Sequence, residues 1–147
     1  MIRNQTGLNT ISDDMEDVWI AQFPISKQKK LEMKQKQYMK TLTIGFNALN
    51  TISELELDGM GALERLVIMQ GGLYDGNSKL QVVNCTNLSS IDIGVNSFMK
   101  YKYLELFNLP MLQTIRIGQR AFQMVYSIVM DSKRVNNLMN KICLHFS

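Results

Sequence analysis

The sequence has little of what catalytic and metal-binding chains usually carry. Among its 147 residues there are one histidine, two cysteines and two prolines. The single histidine, His145, gives few ways to build a nucleophile, a base and an orienting group. Neither Cys85 nor Cys143 has a partner at metal-ligand spacing, and two cysteines do not indicate a disulfide framework. We therefore expect no catalytic residues, no metal and no cofactor.

Long hydrophobic runs and a strong net charge are also missing. No run approaches the roughly 18 apolar residues of a membrane span, and the first ten residues are too polar for a signal peptide. We therefore expect no membrane span and favour a cytoplasmic location. The net charge of +3 is mild and does not by itself indicate nucleic acid. Three glycosylation sequences, at Asn4, Asn84 and Asn87, would matter only in a secreted protein.

What the sequence does have is a repeat of about 24 residues. Six apolar slots recur in five successive units, at relative positions 0, 3, 5, 10, 16 and 18, with one insertion in the third unit. The first slots are Met15, Met39, Leu63, Leu88 and Leu112. All of these slots are apolar although only 46% of the chain is, so chance does not explain the pattern. Two slots two residues apart predict a short strand with one buried face.

The units resemble a known repeat. Residues 39–49 read Met-x-x-Leu-x-Ile-x-x-Asn-x-Leu and residues 88–98 read Leu-x-x-Ile-x-Ile-x-x-Asn-x-Phe, which resembles the leucine-rich repeat. The Ile-Gly-x-x-Ser/Ala-Phe segments at 93–98 and 117–122 resemble the BspA-like subclass of bacterial surface and protist proteins. The resemblance implies a curved horseshoe whose Asn47 and Asn96 turn inward and bond the backbone of adjacent units. It also implies a protein ligand on the concave sheet.

The predicted fold is a mostly β repeat solenoid, a leucine-rich-repeat-like horseshoe with a parallel sheet and a short C-terminal capping helix. We divide the chain into an N-terminal extension (1–14), five repeats (15–132) and an amphipathic helix or cap (133–147). The second half of each unit again has period-two spacing, so we expect an extended segment there. Apolar residues between 8 and 18 also fit a helix, but we favour a degenerate first repeat.

The outward strand positions form the candidate ligand surface. They are Asp17 and Trp19, Thr41 and Thr43, Arg65 and Val67, Ser90 and Asp92, and Thr114 and Arg116. We predict that Trp19, Arg65, Asp92 and Arg116 contact a protein, with Thr43 beside them, because aromatic and arginine side chains dominate binding hot spots. The alternatives are that Trp19 covers the edge of the first repeat and that the charged residues form an ordinary solvated face.

A lysine cluster offers a different function. Six lysines lie between residues 27 and 40, and Lys29, Lys30, Lys34 and Lys36 form an alternative basic patch. Such a patch could carry a charge-driven adaptor to an anionic membrane surface or nucleic acid. We favour a solvated edge, because only Tyr38 accompanies the lysines and nucleic-acid grooves also need aromatic platforms. A further alternative is a fragment of a larger repeat protein without its own ligand.

One column of the second strands is acidic. It contains Glu32, Glu56, Gln81 and Glu105. Stacked strands are about 4.8 Å apart, so neighbouring glutamates would repel unless they splay into water or face cations. A ladder of divalent ions is the alternative, but we favour the solvated arrangement.

Overall fold

The computed structural model describes residues 1–22, 28–73 and 78–130. The described chain is a β-solenoid with one short helix, α1 (Gln5–Asn9). Its ten strands are β1 (Asp17–Ile20), β2 (Lys30–Lys34), β3 (Thr41–Ile44), β4 (Glu54–Asp58), β5 (Arg65–Ile68), β6 (Ser78–Val83), β7 (Ser90–Ile93), β8 (Tyr101–Phe107), β9 (Thr114–Ile117) and β10 (Ser127–Met130).

Successive strands alternate between two parallel sheets. Sheet A has the order β1-β3-β5-β7-β9, and sheet B has the order β10-β8-β6-β4-β2. A coil is therefore one strand of sheet A with the following strand of sheet B. In sheet A, Val18 pairs with Leu42, which pairs with Leu66, so the stacking register follows the sequence repeat. The predicted mostly β solenoid with parallel strands is confirmed, and the second extended segment forms a sheet of its own.

The core fills the space between the two sheets. Strand burial alternates, as in β3 and β5, because successive side chains point to opposite faces. Leu42, Leu66 and Ile91 are stacked in one inward column of sheet A, and all three are buried. Burying one such side chain stabilises the fold by roughly 1.5–3 kcal/mol. The repeat therefore supplies one continuous core along the stack.

Aromatic side chains tie several coils together. The rings of Phe98 and Phe122, one coil apart, stack with centroids 4.9 Å apart, and Tyr101 meets Phe98 edge-on at 4.7 Å. The Tyr101 hydroxyl donates a hydrogen bond of 2.9 Å to the carbonyl of Ile52, two coils earlier in the chain. Tyr101 is fully buried, so this bond satisfies a hydroxyl that would otherwise be costly to desolvate.

The predicted inward asparagine ladder is not formed at Asn47. Asn47 is exposed, and its backbone N–H, not its side chain, bonds the next coil by donating 3.1 Å to the carbonyl of Gln70. Asn47, Gly71, Asn96 and Arg120 share a left-handed backbone, with φ between 50° and 71°. Glycine and asparagine tolerate that conformation best. The position therefore selects for backbone geometry, and Gly71 and Arg120 adopt the same turn as the two asparagines.

A side-chain ladder does exist at the other corner of the coil. The Asn84 amide donates a hydrogen bond of 2.9 Å to Asp58 Oδ1, and the Asn108 amide donates one of 3.0 Å to Asn84 Oδ1. Both asparagines also have left-handed backbones, with φ of 55° and 50°. The same residue type thus provides the turn and links neighbouring coils.

The N-terminal segment covers the first coil. Asn4 caps α1 by accepting a hydrogen bond of 2.8 Å from the N–H of Gly7. Ile2 forms a parallel bridge to Ile20, and Ile2, Leu8 and Ile11 are buried. These side chains shield the edge of the core, and no single helix runs from 8 to 18. At the opposite end, the predicted capping helix at 133–147 lies outside the described residues.

Candidate functional site

The outward face of sheet A carries the predicted contacts in two columns. One column contains Trp19, Thr43, Val67, Asp92 and Arg116, paired in that order across the five strands. The other contains Asp17, Thr41, Arg65, Ser90 and Thr114. Arg65 does not belong to the column that lies between the two inward side chains of each strand. Arg65 precedes Leu66 and faces outward beside the main column, whose third member is Val67.

Trp19 leans along the stack towards the second coil. The residue is 41% exposed. Its indole nitrogen lies 2.9 Å from the point that a Cβ on Gly45 would occupy, so the ring sits against this glycine. The edge of the first coil is covered instead by Ile2, whose N–H donates a hydrogen bond of 2.6 Å to the Trp19 carbonyl. The indole therefore belongs to the outward face of sheet A.

Asp92 and Arg116 form an ion pair on adjacent strands of the same column. Arg116 Nη1 donates to Asp92 Oδ1 over 2.9 Å. The Arg116 side chain is 72% exposed and that of Asp92 is 24% exposed, so the pair contributes little to stability. It places a guanidinium next to a carboxylate on this surface. Two of the predicted contact residues are thus brought together.

A column of glycines follows the outward column. A Cβ on Gly94 would lie 2.6 Å from the backbone nitrogen of Gln70, and one on Gly118 would lie 2.5 Å from that of Val95. These positions require glycine because backbones of adjacent coils meet there. Beside them is a cavity of about 300 Å³, lined by Val67, Ile68, Asp92, Ile93, Gly94, Arg116, Ile117 and Gly118. The two glycines that permit this close approach also form part of the cavity wall.

Sequence reasoning placed Val67 on the outward face without predicting it as a contact, and it missed Gly94 and Gly118 as parts of this surface. The usable signal was side-chain size in the outward column. Val67 and Asp92 have short side chains, and the glycine one coil later has none. The space between the two positions therefore stays open. Charge and aromaticity single out large side chains, so they do not indicate an open space between small residues.

A second cavity, of about 310 Å³, lies at the left-handed corner after sheet A. It is lined by Asn47, Asn50, Gln70, Gly71, Asn96, Met99 and Arg120. Amide side chains and one guanidinium make this site more polar than the cavity beside the glycines. No candidate residue had been predicted here, because the asparagines were expected to turn inward.

The lysine cluster is largely paired with carboxylates. Lys36 Nζ lies 2.6 Å from Asp13 Oδ1, and Lys40 Nζ lies 2.9 Å from Glu16 Oε2. Lys36 also donates a hydrogen bond of 2.8 Å to the carbonyl of Ile11, which ties the N-terminal segment to the turn between β2 and β3. These contacts use part of the cluster to attach the N-terminal segment and leave less free charge for an anionic partner.

Lys30 and Lys34 face the acidic column of sheet B. Lys30 Nζ lies 2.6 Å from Glu56 and 3.4 Å from Glu32, and Lys34 contacts the same two carboxylates. A hydrogen bond from Lys30 is the largest cause that holds the pKa of Glu56 below its ordinary value, and Lys34 does the same for the pKa of Glu32. At the other end of the column, Lys79 lies 3.6 Å from Glu105. Cations thus counter the stacked glutamates.

Reactive groups are sparse in the described part of the chain. Cys85 is buried and its Sγ donates a hydrogen bond of 3.3 Å to the Val83 carbonyl. Burial is the main reason that the pKa of the Cys85 thiol rises to about 11, which disfavours the reactive thiolate. No three of the described histidine, cysteine and acidic side chains are placed to hold a metal ion. Cys143 and His145 lie outside the described residues.

Comparisons with known proteins add no relative. None of the helices in residues 1–22, 28–73 and 78–130 is long and apolar enough to cross a membrane. No family model, curated protein or solved structure matches this chain significantly. The function of the chain is therefore argued from its own surfaces.

Proposed function

We propose that this protein is a non-catalytic protein-binding module whose ligand surface is the outward face of sheet A. It is a solenoid of the leucine-rich repeat type, of the BspA-like subclass, and sheet A is the concave face of the horseshoe. The repeated apolar slots and the Ile-Gly-x-x-Ser/Ala-Phe segments support this assignment. In this proposal residues 133–147 form the amphipathic helix that caps the fifth coil.

The contrast between the two outward faces carries the proposal. Sheet A presents an indole, an exposed guanidinium and an open cavity on one rigid surface. Aromatic and arginine side chains beside a pocket are typical of protein-binding hot spots. On sheet B the central acidic column is already engaged by lysines of the same chain. A partner gains more from the surface that holds fewer ion pairs within the chain.

The charge-driven alternative predicts a different salt response. Binding through lysines to an anionic surface weakens steeply as salt rises, because counterions are released on binding. Pairing of Lys30, Lys34, Lys36 and Lys40 with carboxylates argues against this mode. We expect partner binding to persist in about 0.5 M salt and after replacement of Lys29, Lys30, Lys34 and Lys36 by glutamine. Loss under both conditions would favour the basic patch.

An alanine scan on a captured partner tests the proposal. Trp19→Ala and Arg116→Ala remove exposed side chains of sheet A, and a true hot spot of this kind costs about 2 kcal/mol or more of binding. Arg65→Ala, Asp92→Ala and Thr43→Ala define the extent of the surface. The matched controls are Glu56→Ala and Glu105→Ala, which truncate outward residues of sheet B.

Thermal melting of each variant separates lost binding from lost folding. Trp19 requires this control because its ring packs against Gly45. If the five sheet A variants keep their affinity while a glutamate variant loses it, the ligand lies on sheet B and the assignment is wrong.

A further inference from the structure

The two left-handed corners of the coil differ in how their side-chain amides are bonded. After sheet B the amides bond one another along the stack, as Asn108 bonds Asn84. After sheet A the left-handed column contains Asn47, Gly71, Asn96 and Arg120. Among residues 1–22, 28–73 and 78–130, the side chains of Asn47 and Asn96 have no hydrogen-bond partner. Their amides are therefore available to a ligand.

Gly71 is the reason that the sheet A corner has no amide ladder. Asn47 and Asn96 are two coils apart, and two strand spacings are about 10 Å, which is too far for one side-chain amide to bond the other. Gly71 lies between them without a side chain, and Asn47 Oδ1 occupies the place that a Cβ of residue 71 would take. The cavity of about 310 Å³ lies at this interruption.

The lining of this cavity carries a positive charge and no carboxylate. Arg120 is exposed, and its guanidinium has no ion pair within the described part of the chain, whereas Arg116 is paired with Asp92. A guanidinium has five N–H donors and no acceptor, and it can bind a carboxylate through two parallel hydrogen bonds. The amides of Asn47 and Asn96 each have donors and an acceptor, so they are complementary to a peptide group.

We propose that this cavity binds an acidic residue of the partner protein, with Arg120 on its carboxylate and the amides of Asn47 and Asn96 on the peptide groups beside it. The inference rests on the proposed function and extends the ligand surface from sheet A to the corner that follows it. A cavity of about 310 Å³ is at the lower limit for small-ligand sites, which suits one residue with its flanking peptide groups. Met99 in the lining offers an apolar surface to the methylene groups of that residue.

Titration with small amides tests this site without knowledge of the partner. The α-amide of N-acetylglutamic acid has one carboxylate between two peptide groups, and N-acetylglutaminamide is the neutral probe of the same shape. Glucuronate has a carboxylate and hydroxyls but no peptide group. Each probe is added to the whole protein, and the side-chain amide signals of Asn47 and Asn96 are followed by NMR. We expect saturable shifts with the glutamate probe and roughly five- to tenfold lower affinity for the other two probes.

Removal of the guanidinium tests the role of charge. Arg120→Gln keeps a donor at an exposed position and should lower the affinity for the glutamate probe to that for the glutamine probe. Arg3→Gln is the matched control, because it removes the same charge from an exposed residue of the N-terminal segment and should leave the affinity unchanged. Equal losses in both variants would show a general effect of net charge and overturn the site.

Filling the interruption tests the place of binding. Gly71→Asn adds a side chain in the gap, and asparagine tolerates the left-handed backbone of this position. It should lower the affinity for the glutamate probe by about tenfold or more. Gly59→Asn makes the same change at the left-handed corner after sheet B and should leave the affinity unchanged. The NMR spectrum shows whether each variant is folded, and if Gly71→Asn is not, Arg120→Gln alone decides.

The outcomes separate this inference from the proposed function. No saturable shifts with the glutamate probe, or equal affinity for the glutamine probe, overturn the acidic site even if the alanine scan places a partner on sheet A. Tighter binding of glucuronate than of the glutamate probe shows that a sugar acid is the better ligand, and also overturns it. Glutamate-selective shifts that Arg120→Gln weakens support the site even if the scan places the partner on sheet B.

Discussion

The outward faces of sheet A and sheet B have the same strand geometry, but they carry different groups. Lysine–glutamate pairs cover much of sheet B, whereas sheet A has a cavity walled by glycines. On sheet B, Glu56 is held by both Lys30 and Lys34. On sheet A, the described ion pair is that of Asp92 and Arg116, and it borders the cavity. The difference arises in the outward columns, because the inward columns of both sheets are uniformly apolar.

This comparison shows how a repeat protein divides its sequence between folding and binding. The inward slots must be apolar in every coil, since each coil buries the next. Outward positions carry no such requirement, so charge on sheet B and side-chain size on sheet A vary from coil to coil. A binding surface is therefore expected where the outward column departs from uniformity, as at Trp19, Val67 and Arg116.

The largest effect should come from breaking the core that both faces share. Ile93 is 5% exposed and stacks between Ile68 and Ile117. Ile93→Asp buries an unpaired carboxylate and should cost several kcal/mol, enough to unfold a marginally stable domain. Ile93→Val should cost only about 0.5–1.5 kcal/mol. Urea unfolding measures both, and a melting temperature of Ile93→Asp within about two degrees of the parent would show that the column is not buried.

A smaller effect should come from filling the close approach beside the cavity. In Gly94→Ala the new Cβ would lie 2.6 Å from the Gln70 backbone nitrogen, which has to move. We expect a loss of about 1–3 kcal/mol in the free energy of unfolding. Gly61→Ala is the control, since its Cβ would meet only the end of the Gln37 side chain, at 3.5 Å. If Gly94→Ala and Gly61→Ala lose the same free energy of unfolding in urea, the close backbone contact is not the reason that position 94 needs glycine.

The inward half of the fold could be predicted from the sequence because burial imposes a strict period. The slots at Leu42, Leu66 and Ile91 align one repeat apart, and stacking follows from that spacing alone. The corners could not be predicted in the same way. Arg120 and Phe122 have the left-handed backbone of their column, with φ of 61° and 53°, although these residue types do not favour it. Packing between coils overrides a local preference of about 1–2 kcal/mol per residue.

The candidate site was predictable only in part. The outward positions of Trp19, Asp92 and Arg116 follow from strand alternation. The cavity depends instead on the surface that the short side chains of Val67 and Asp92 leave uncovered. The Asp92–Arg116 pair could have been predicted from the sequence, because opposite charges 24 residues apart fall on adjacent coils. The same spacing joins Glu16 to Lys40. The N-terminal cover was missed because Ile2, Leu8 and Ile11 do not follow the repeat period.

The smallest effect should come from removing charge from sheet B. A hydrogen bond from Lys30 is the main cause that lowers the pKa of Glu56 from 4.5. A carboxyl with a lowered pKa stabilises the fold above its unfolded pKa, and this contribution is lost as pH falls through the folded pKa. Glu56→Gln should therefore flatten the fall in melting temperature below about pH 4.5. Glu54→Gln, an exposed change on the same strand, is the control, and identical pH profiles for parent and Glu56→Gln would contradict the pairing.

The Lys30–Glu56 pair should also affect stability at alkaline pH. Glu56 is also the largest cause that raises the pKa of Lys30 above 10.5. A lysine with a raised pKa stabilises the fold below its unfolded pKa, and this contribution is lost as pH rises through the folded pKa. Glu56→Gln should therefore also flatten the melting profile above about pH 10.5.

Hydroxyl-radical footprinting of the protein with its captured partner tests the central claim most directly. Trp19 on sheet A and Tyr103 on sheet B are both aromatic and similarly exposed, at 41% and 46%, so each reports on one outward face. The account predicts that the partner protects Trp19 from oxidation and leaves Tyr103 as reactive as in the free protein. Protection of Tyr103 with Trp19 unchanged would contradict it.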